Sequence, residues 1–196
     1  MVRTNPERRQ ALLDASIEVL AREGARGLTF RAVDKEAAVP AGTASNYFAN
    51  RDQLLVQVGH RYYERLIPDE DTMNKLQGER SRATVTELMT EIVERVSEFR
   101  TGYLAILELR LEATRRPELQ ALLTERVQAD LDFNVRNHLD NDMPGDRDTV
   151  VMLYLALNWL ILERLTLPGI FDEKRAAELV ATIVERAIPA TAPGNG

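Results

Sequence analysis

Residues 28–55 read LTFRAVDKEAAVPAGTASNYFANRDQLL, which predicts two short helices around a tight turn, followed by the start of a third helix. Phe30, Val33 and Ala37 share one face of the first short helix, because the helical period separates them. Pro40 ends this helix, since proline disfavours helical geometry in the residue before it and suits a first helical position. The stretch therefore predicts a helix-turn-helix.

The second short helix is predicted over residues 42–48. It is small and polar on one side, and Phe48 is expected to pack inward. The major groove of DNA is wide enough for one α-helix, and a polar helix fixed by a hydrophobic turn fits it. The stretch therefore indicates a DNA-reading element.

The order of residues over about 8–55 resembles the TetR family of transcriptional regulators. The positions that carry this resemblance are Thr29, Val39, Gly42-Thr43, Tyr47-Phe48, Arg51 and Leu54-Leu55. Beyond residue 55 the resemblance rests on helical architecture alone. It implies a dimer formed by the last two helices, and a body whose ligand moves a bridging helix and releases DNA.

Composition places the chain among ordinary globular proteins. Of its 196 residues, 44% are hydrophobic and 29% are charged, and it has no cysteine, which excludes disulfides and thiolate metal sites. The longest apolar run, residues 150–162, is too short to span a membrane, and the N-terminus has no apolar signal region. We therefore expect a cytoplasmic protein with no membrane partner.

The net charge of −6 is unevenly distributed. Residues 1–51 carry eight basic and six acidic groups, a net of +2, and the remainder carries a net of −8. Because the phosphate backbone attracts local positive charge, the N-terminal quarter is the expected contact surface for double-stranded DNA.

Hydrophobic periodicity predicts an all-α protein, with an N-terminal three-helix helix-turn-helix domain followed by a larger helical body. We predict a DNA-binding domain at 1–50, an effector-binding and dimerisation domain at 51–188 with a bridging helix at 51–67, and a flexible tail at 189–196. Asn5 caps the first helix and Gly24 ends it. Later helices are predicted at 82–100, 103–115, 117–140, 146–165 and 172–188, after a loop at 68–80.

The helix at 146–165 is apolar on every side between Val150 and Leu162 except at Asn158. A helix that is apolar all round must be buried all round, so it predicts a homodimer that buries this helix together with the last one. A monomer with this helix at its centre is the alternative. The predicted interface residues are Val151, Tyr154, Leu155, Asn158, Leu162, Ala176, Leu179, Val180, Ile183 and Val184.

The predicted DNA contacts divide into base readers and phosphate binders. Asn46 is the main base-reading candidate, because an amide can bond adenine N6 and N7 together. Ala41 could touch a thymine methyl group, and Thr43 could reach a base or its phosphate. Hydroxyl and guanidinium groups suit phosphate oxygens. The full predicted set is Thr29, Arg31, Ala41, Thr43, Ser45, Asn46, Tyr47 and Arg51.

The stretch also departs from the pattern of the family that it resembles. Ala38 stands where the turn usually has glycine, which costs about 1 kcal/mol if that residue is left-handed. Pro40-Ala41 replaces the usual serine and basic residue, Ser45 replaces an aromatic residue, and Asp34 stands where a small residue is usual. We expect fewer phosphate contacts as a result.

In the body, Glu108 shares a helical face with Leu104 and Leu111 and is expected to point inward. An inward carboxylate needs a partner, either a protein arginine (Arg110, Arg100 or Arg164) or an effector. The predicted ligand-binding residues, which could also serve core or dimer packing, are Phe99, Leu104, Leu107, Glu108, Leu111, Phe133, Tyr154, Asn158 and Trp159.

Enzyme motifs are absent from the sequence. The two histidines lack metal-ligand spacing, and there is no nucleophile elbow, phosphate loop or dinucleotide fingerprint. We therefore expect no catalytic residue, metal or cofactor, and predict a homodimeric repressor that an unknown small molecule releases from a palindromic operator. Two alternatives remain: a dimeric ligand-binding or protein-interaction module that no longer binds DNA, and a small helical enzyme.

Overall fold

The computed structural model describes residues 5–67 and 79–188, and every regular element in these ranges is an α-helix, which confirms the all-α class. The predicted tail at 189–196, and residues 68–78 of the predicted loop, lie outside the described residues. The helices, numbered in chain order, are α1 Pro6–Gly27, α2 Phe30–Glu36, α3 Thr43–Tyr47, α4 Arg51–Arg65, α5 Arg82–Glu98, α6 Arg100–Ala113, α7 Pro117–Asp140, α8 Arg147–Thr166 and α9 Glu173–Ala187.

The chain divides into two compact units. Unit 1 comprises Met1–Ile67 and Phe99–Val127, and unit 2 comprises Pro68–Glu98 and Gln128–Gly196. This division differs from the predicted boundary at residue 50, because α4 packs on both α1 and α6 within unit 1. Gly59 of α4 also lies close to α7, since a Cβ at Gly59 would stand 3.2 Å from Leu122 Cδ2.

Helix α1 begins as the sequence predicts but ends later. The Asn5 side chain accepts hydrogen bonds from the backbone amides of Glu7 and Arg8, and Pro6 occupies the first turn. Gly24 breaks the helix with φ 68°, and one further turn then runs to Gly27. Its buried stripe includes Leu12, Leu13, Ile17 and Leu20, with exposed fractions of 0%, 9%, 0% and 0%.

The helix-turn-helix is formed by α2 and α3. Thr29 caps α2, and Ala38 in the turn has φ 51°, the left-handed conformation that alanine disfavours. Helix α3 is shorter than predicted, because Gly42 is its N-cap with φ 88° and Pro40 precedes the helix. Phe48 is 1% exposed, which confirms that it packs inward.

In unit 2, α8 contacts α5 and α9. The sequence predicts that α8 is buried all round only together with a second chain, and within the single chain it is buried on one side. Its inner face, including Leu153, Leu157 and Leu160, is buried, but Met152 is 51% exposed and Leu155 is 61% exposed. By length and mean hydropathy α8 could also span a membrane, a property that the core helix of a soluble protein shares. Its inner face packs on α5 and α9 within unit 2.

Candidate nucleic-acid interface

Helix α3 has one buried face and one exposed face. Ala44 (0% exposed) and Phe48 (1% exposed) pack inward. Ala41, Ser45 and Asn46 are exposed, so three of the predicted DNA contacts lie at the surface of one short segment. The Asn46 side chain makes no hydrogen bond to other described residues, which leaves its amide free to bond a base edge.

The two aliphatic hydroxyl groups of α3 already bond to the backbone. Thr43 Oγ1 donates to the Pro40 carbonyl at 2.6 Å, and Ser45 Oγ donates to the Gly42 carbonyl at 2.8 Å. A hydroxyl group has one proton, so in this arrangement both oxygens can only accept from DNA. Thr43 and Ser45 are therefore weaker candidates for phosphate contact than the sequence suggests.

The remaining phosphate candidates keep free donors. Arg31 is exposed in the first turn of α2, and the Thr29 side chain accepts only from the Ala32 amide, at 3.1 Å. The Tyr47 hydroxyl oxygen accepts from the Asn5 amide at 3.3 Å, so its own proton is available to a phosphate oxygen. Thr29, Arg31 and Tyr47 thus stay proposed phosphate contacts.

Arg51 does not present the free guanidinium group that the sequence suggests. Its Nε donates to the Leu28 carbonyl at 3.2 Å, and its Nη2 donates to the Ala25 carbonyl. Nη1 lies 3.9 Å from Glu112 Oε2. Two of its nitrogens are thus engaged at the end of α1, where Arg51 joins α1, α4 and α6 within unit 1, although its side chain stays 36% exposed. Arg51 is therefore a weaker proposed phosphate contact than the sequence suggests.

Asp34 is the residue of this interface that sequence reasoning missed. It is 3% exposed, and its two carboxylate oxygens accept from the backbone amides of Gly42 and Ala44, both at 2.7 Å. The N-cap Gly42 has no side chain, so Asp34 supplies the cap from α2. The sequence did contain a signal for this cap. Asp34 is an acid where a small residue is usual, and it precedes the glycine N-cap by eight residues.

A second local cap also had a sequence signal. The Asn50 side chain accepts from the Gln53 amide at 2.8 Å, and the Gln53 side chain accepts from the Ala49 amide at 2.7 Å. The spacing of Asn50 and Gln53 is that of a capping box. This pair of hydrogen bonds fixes the start of α4, which follows the end of α3 after three residues.

The predicted ligand-binding residues of unit 1 have different surroundings. The Glu108 carboxylate accepts from the Ala25 amide at 2.9 Å, so its partner is the backbone at the Gly24 break and none of the three proposed arginines. Leu111 is 60% exposed and does not point inward. Phe99 stacks on Tyr62 at 6.1 Å between ring centroids. Leu104 and Leu107 are half-buried.

Two of the four predicted ligand-binding residues of unit 2 are exposed, and the other two are half-buried. Phe133 is 45% exposed and Trp159 is 64% exposed. Tyr154 and Asn158 are half-buried, and the Asn158 side chain donates to the Tyr154 carbonyl at 2.8 Å. Unit 1 has an open cavity of about 220 Å³ lined by Asp52, Val56 and residues 115–119, none of which was a predicted ligand-binding residue.

The predicted dimer interface needs a partial correction. On α9, Ala176 and Val180 are 1% exposed and Val184 is 0% exposed, because they pack inside unit 2. They cannot form a surface for a second chain without opening that core. Leu179 and Ile183 on α9, and Val151, Tyr154, Asn158 and Leu162 on α8, are half-buried, whereas Leu155 is 61% exposed.

The comparisons with known proteins agree with this geometry. Residues 12–58 match the family described as bacterial regulatory proteins, tetR family. Residues 80–190 match the family described as tetracyclin repressor-like, C-terminal domain. The chain therefore belongs to the TetR family of bacterial regulatory proteins.

Individual relatives resemble either the N-terminal part or the whole chain. An HTH-type transcriptional regulator of Haemophilus influenzae is 41% identical over 54 residues, 28% of this chain and 29% of that protein. The chain thus covers less than a third of the length of the curated relatives that it matches, 29% in each case.

Two solved structures extend the similarity over nearly the whole chain. The multidrug binding protein EbrR complexed with ethidium is 28% identical with a TM-score of 0.65, covering 92% of this chain and 99% of that chain. A TetR family member from Streptomyces coelicolor A3 is 27% identical with a TM-score of 0.69, covering 94% of this chain and 100% of that chain.

Proposed function

We propose that this protein is a cytoplasmic, homodimeric transcriptional repressor that binds a palindromic operator and leaves it when a small molecule binds. The observation that carries the proposal is the exposed polar face of α3, with Asn46 free and the opposite face buried. Such a helix can enter the major groove and read base edges. Membership of the TetR family supports the same role.

Dimerisation is proposed through the outer face of α8. Met152, Leu155 and Trp159 follow one another at helical spacing and are 51%, 61% and 64% exposed. Contiguous apolar side chains on a surface commonly mark an interface. A second copy placed on this face under two-fold symmetry would also supply the second reading helix that a palindromic operator requires.

The proposed link from effector to DNA runs through contacts inside unit 1. Helix α4 follows the reading helix after three residues and packs on α1 and α6. Glu108 and Arg51 join the end of α1 to α6 and α4. An effector that shifts α6 or α4 would therefore displace the reader, provided that it prefers the DNA-incompetent state by about 1–3 kcal/mol.

The chemical class of the effector is open, and similarity suggests the first probe. The similar protein EbrR has been solved with ethidium bound. We therefore propose ethidium as an initial ligand, measured by fluorescence in the absence of DNA because ethidium itself binds DNA. Saturable binding would support an effector site for aromatic cations, and its absence would exclude this class.

The function is tested by selecting DNA sequences from a random duplex pool with the purified protein. The proposal predicts enrichment of a palindrome whose half-sites lie about one helical turn apart, or a multiple of it. Wild-type protein that enriches no sequence, and binds DNA only weakly and without preference, would favour a ligand-binding or protein-interaction module instead.

A further inference from the structure

The orientation of the reading helix depends on one buried carboxylate. Asp34 on α2 is 3% exposed, and its Oδ2 and Oδ1 accept from the amides of Gly42 and Ala44 respectively, each at 2.7 Å. Bonds to a charged acceptor are stronger than neutral ones. Asp34 therefore holds the backbone at the start of α3 at two points, the N-cap Gly42 and Ala44.

Helix α3 needs hydrogen bonds from another element to fix its orientation. It has five residues, and isolated helices shorter than about 12 residues are marginal in water. The segment that leads into it contains two left-handed residues, Ala38 at φ 51° and Gly42 at φ 88°. Its N-cap makes no side-chain hydrogen bond. Local sequence preferences therefore do not fix where α3 points.

We propose that Asp34 is a positioning residue for sequence reading: it fixes α3 so that Asn46 meets its base, without touching DNA itself. This inference rests on the proposed function. Ala44, whose amide Asp34 holds, is two residues before Asn46, so a small rotation of α3 moves the Asn46 amide directly. Bidentate base readout demands close alignment of donor and acceptor.

The test compares Asp34→Asn with Glu36→Gln. Both substitutions are isosteric and remove one negative charge from α2, so the change in net charge is the same. Glu36 is paired at the surface with Arg22 at 2.8 Å, away from α3. In Asp34→Asn the side-chain NH₂ group faces a backbone amide, so one of the two bonds is lost.

Affinity for the selected operator and for a scrambled duplex is measured at several salt concentrations, with amide hydrogen exchange recorded on the free proteins. We expect Asp34→Asn to lower the ratio of operator to scrambled affinity about tenfold relative to Glu36→Gln, with the same salt dependence. The Gly42 or Ala44 amide should lose protection selectively. An unchanged ratio in folded Asp34→Asn overturns the inference.

A second variant keeps the test decisive if Asp34→Asn does not fold. Asp34→Glu retains the charge and the acceptors but moves them by one methylene group, which displaces α3. We expect a changed base preference near the Asn46 contact, and an unchanged preference overturns the inference. If wild type and Glu36→Gln also show no preference, the proposed function itself fails and this inference fails with it.

Discussion

Single residues determine what α3 can read. The hydroxyl groups of Thr43 and Ser45 donate their protons to backbone carbonyl groups. Asn46 is therefore the exposed side chain of α3 that has both an amide donor and an acceptor available. Asn46→Ala is expected to cost about 1–3 kcal/mol of discrimination at one base pair in each half-site. Fluorescence anisotropy with the operator and with single-base variants measures this.

The control for that substitution is Asn134→Ala, which removes the same amide from an exposed position on α7. It should leave operator affinity and base preference as in wild type. If Asn46→Ala kept the wild-type ratio of affinities between the operator and each single-base variant, another residue would read the base.

The Glu108 carboxylate supports the last turn of α1. It accepts the Ala25 amide at 2.9 Å, so Glu108→Ala should leave that amide unsatisfied and lower the free energy of unfolding by about 1–3 kcal/mol. Urea titration followed by circular dichroism checks this, with Glu125→Ala, an exposed acid on α7, as control. Wild-type stability combined with a lost effector response would instead assign Glu108 to the ligand.

At the scale of elements, the last turn of α7 carries a pH-dependent group, His138, which bonds to the turn that follows. Burial lowers the pKa of His138, against an opposing contribution from its hydrogen bond to the Pro144 carbonyl. The Nε2 and carbonyl oxygen lie 3.1 Å apart, and a carbonyl can only accept, so Nε2 carries the proton of the neutral ring.

A lowered folded-state pKa fixes the sign of the pH effect. The unfolded chain takes up the proton first as pH falls below about 6.5, so His138 makes unfolding easier toward acid pH. Wild type should therefore lose more unfolding free energy between pH 7.5 and 5.5, about one unit on each side of that value, than His138→Gln does. Urea titration at both pH values measures the difference, and equal losses would contradict it.

The sequence predicted helices well wherever a long apolar stripe or a cap was present. Asn5, Thr29 and the stripe of α1 lie where local chemistry places them. The range of α3 was too long, because its start depends on Asp34, which comes from another helix. Long-range partners of this kind leave no periodic signal.

The same limit applies to the candidate site residues. Exposure of Asn46 follows from the helical period, whereas the engagement of Arg51 with carbonyl groups of Ala25 and Leu28 depends on how α4 meets α1. On α9, a single apolar stripe cannot distinguish burial within the chain from burial against a second copy. Ala176 and Val184 were therefore predicted at the dimer interface, although they pack inside unit 2.

For the whole molecule, the central expectation is two copies. Leu155 is 61% exposed, so Leu155→Glu should leave the fold intact and place a charge in the proposed interface. Analytical ultracentrifugation should show a shift from dimer to monomer, with operator affinity reduced about 100-fold because linked half-sites bind together. Leu139→Glu, at a 44% exposed position on α7, is the matched control and should remain dimeric.

The charge distribution fits this arrangement. Residues 1–51 carry a net of +2 in a chain of net charge −6, so only the reader end favours phosphate contact. The excess of positive charge is small, and the Arg51 guanidinium already donates to backbone carbonyl groups, so we expect few phosphate contacts. Specific binding should therefore depend more on base readout than on salt-sensitive attraction.

Footprinting on the DNA that flanks its own gene tests the central claim most directly. The account predicts one protected palindrome at physiological salt, occupied by two chains, with protection lost in Asn46→Ala and retained in Asn134→Ala. Uniform or absent protection by the folded wild-type dimer, at salt concentrations down to about 50 mM, would contradict it.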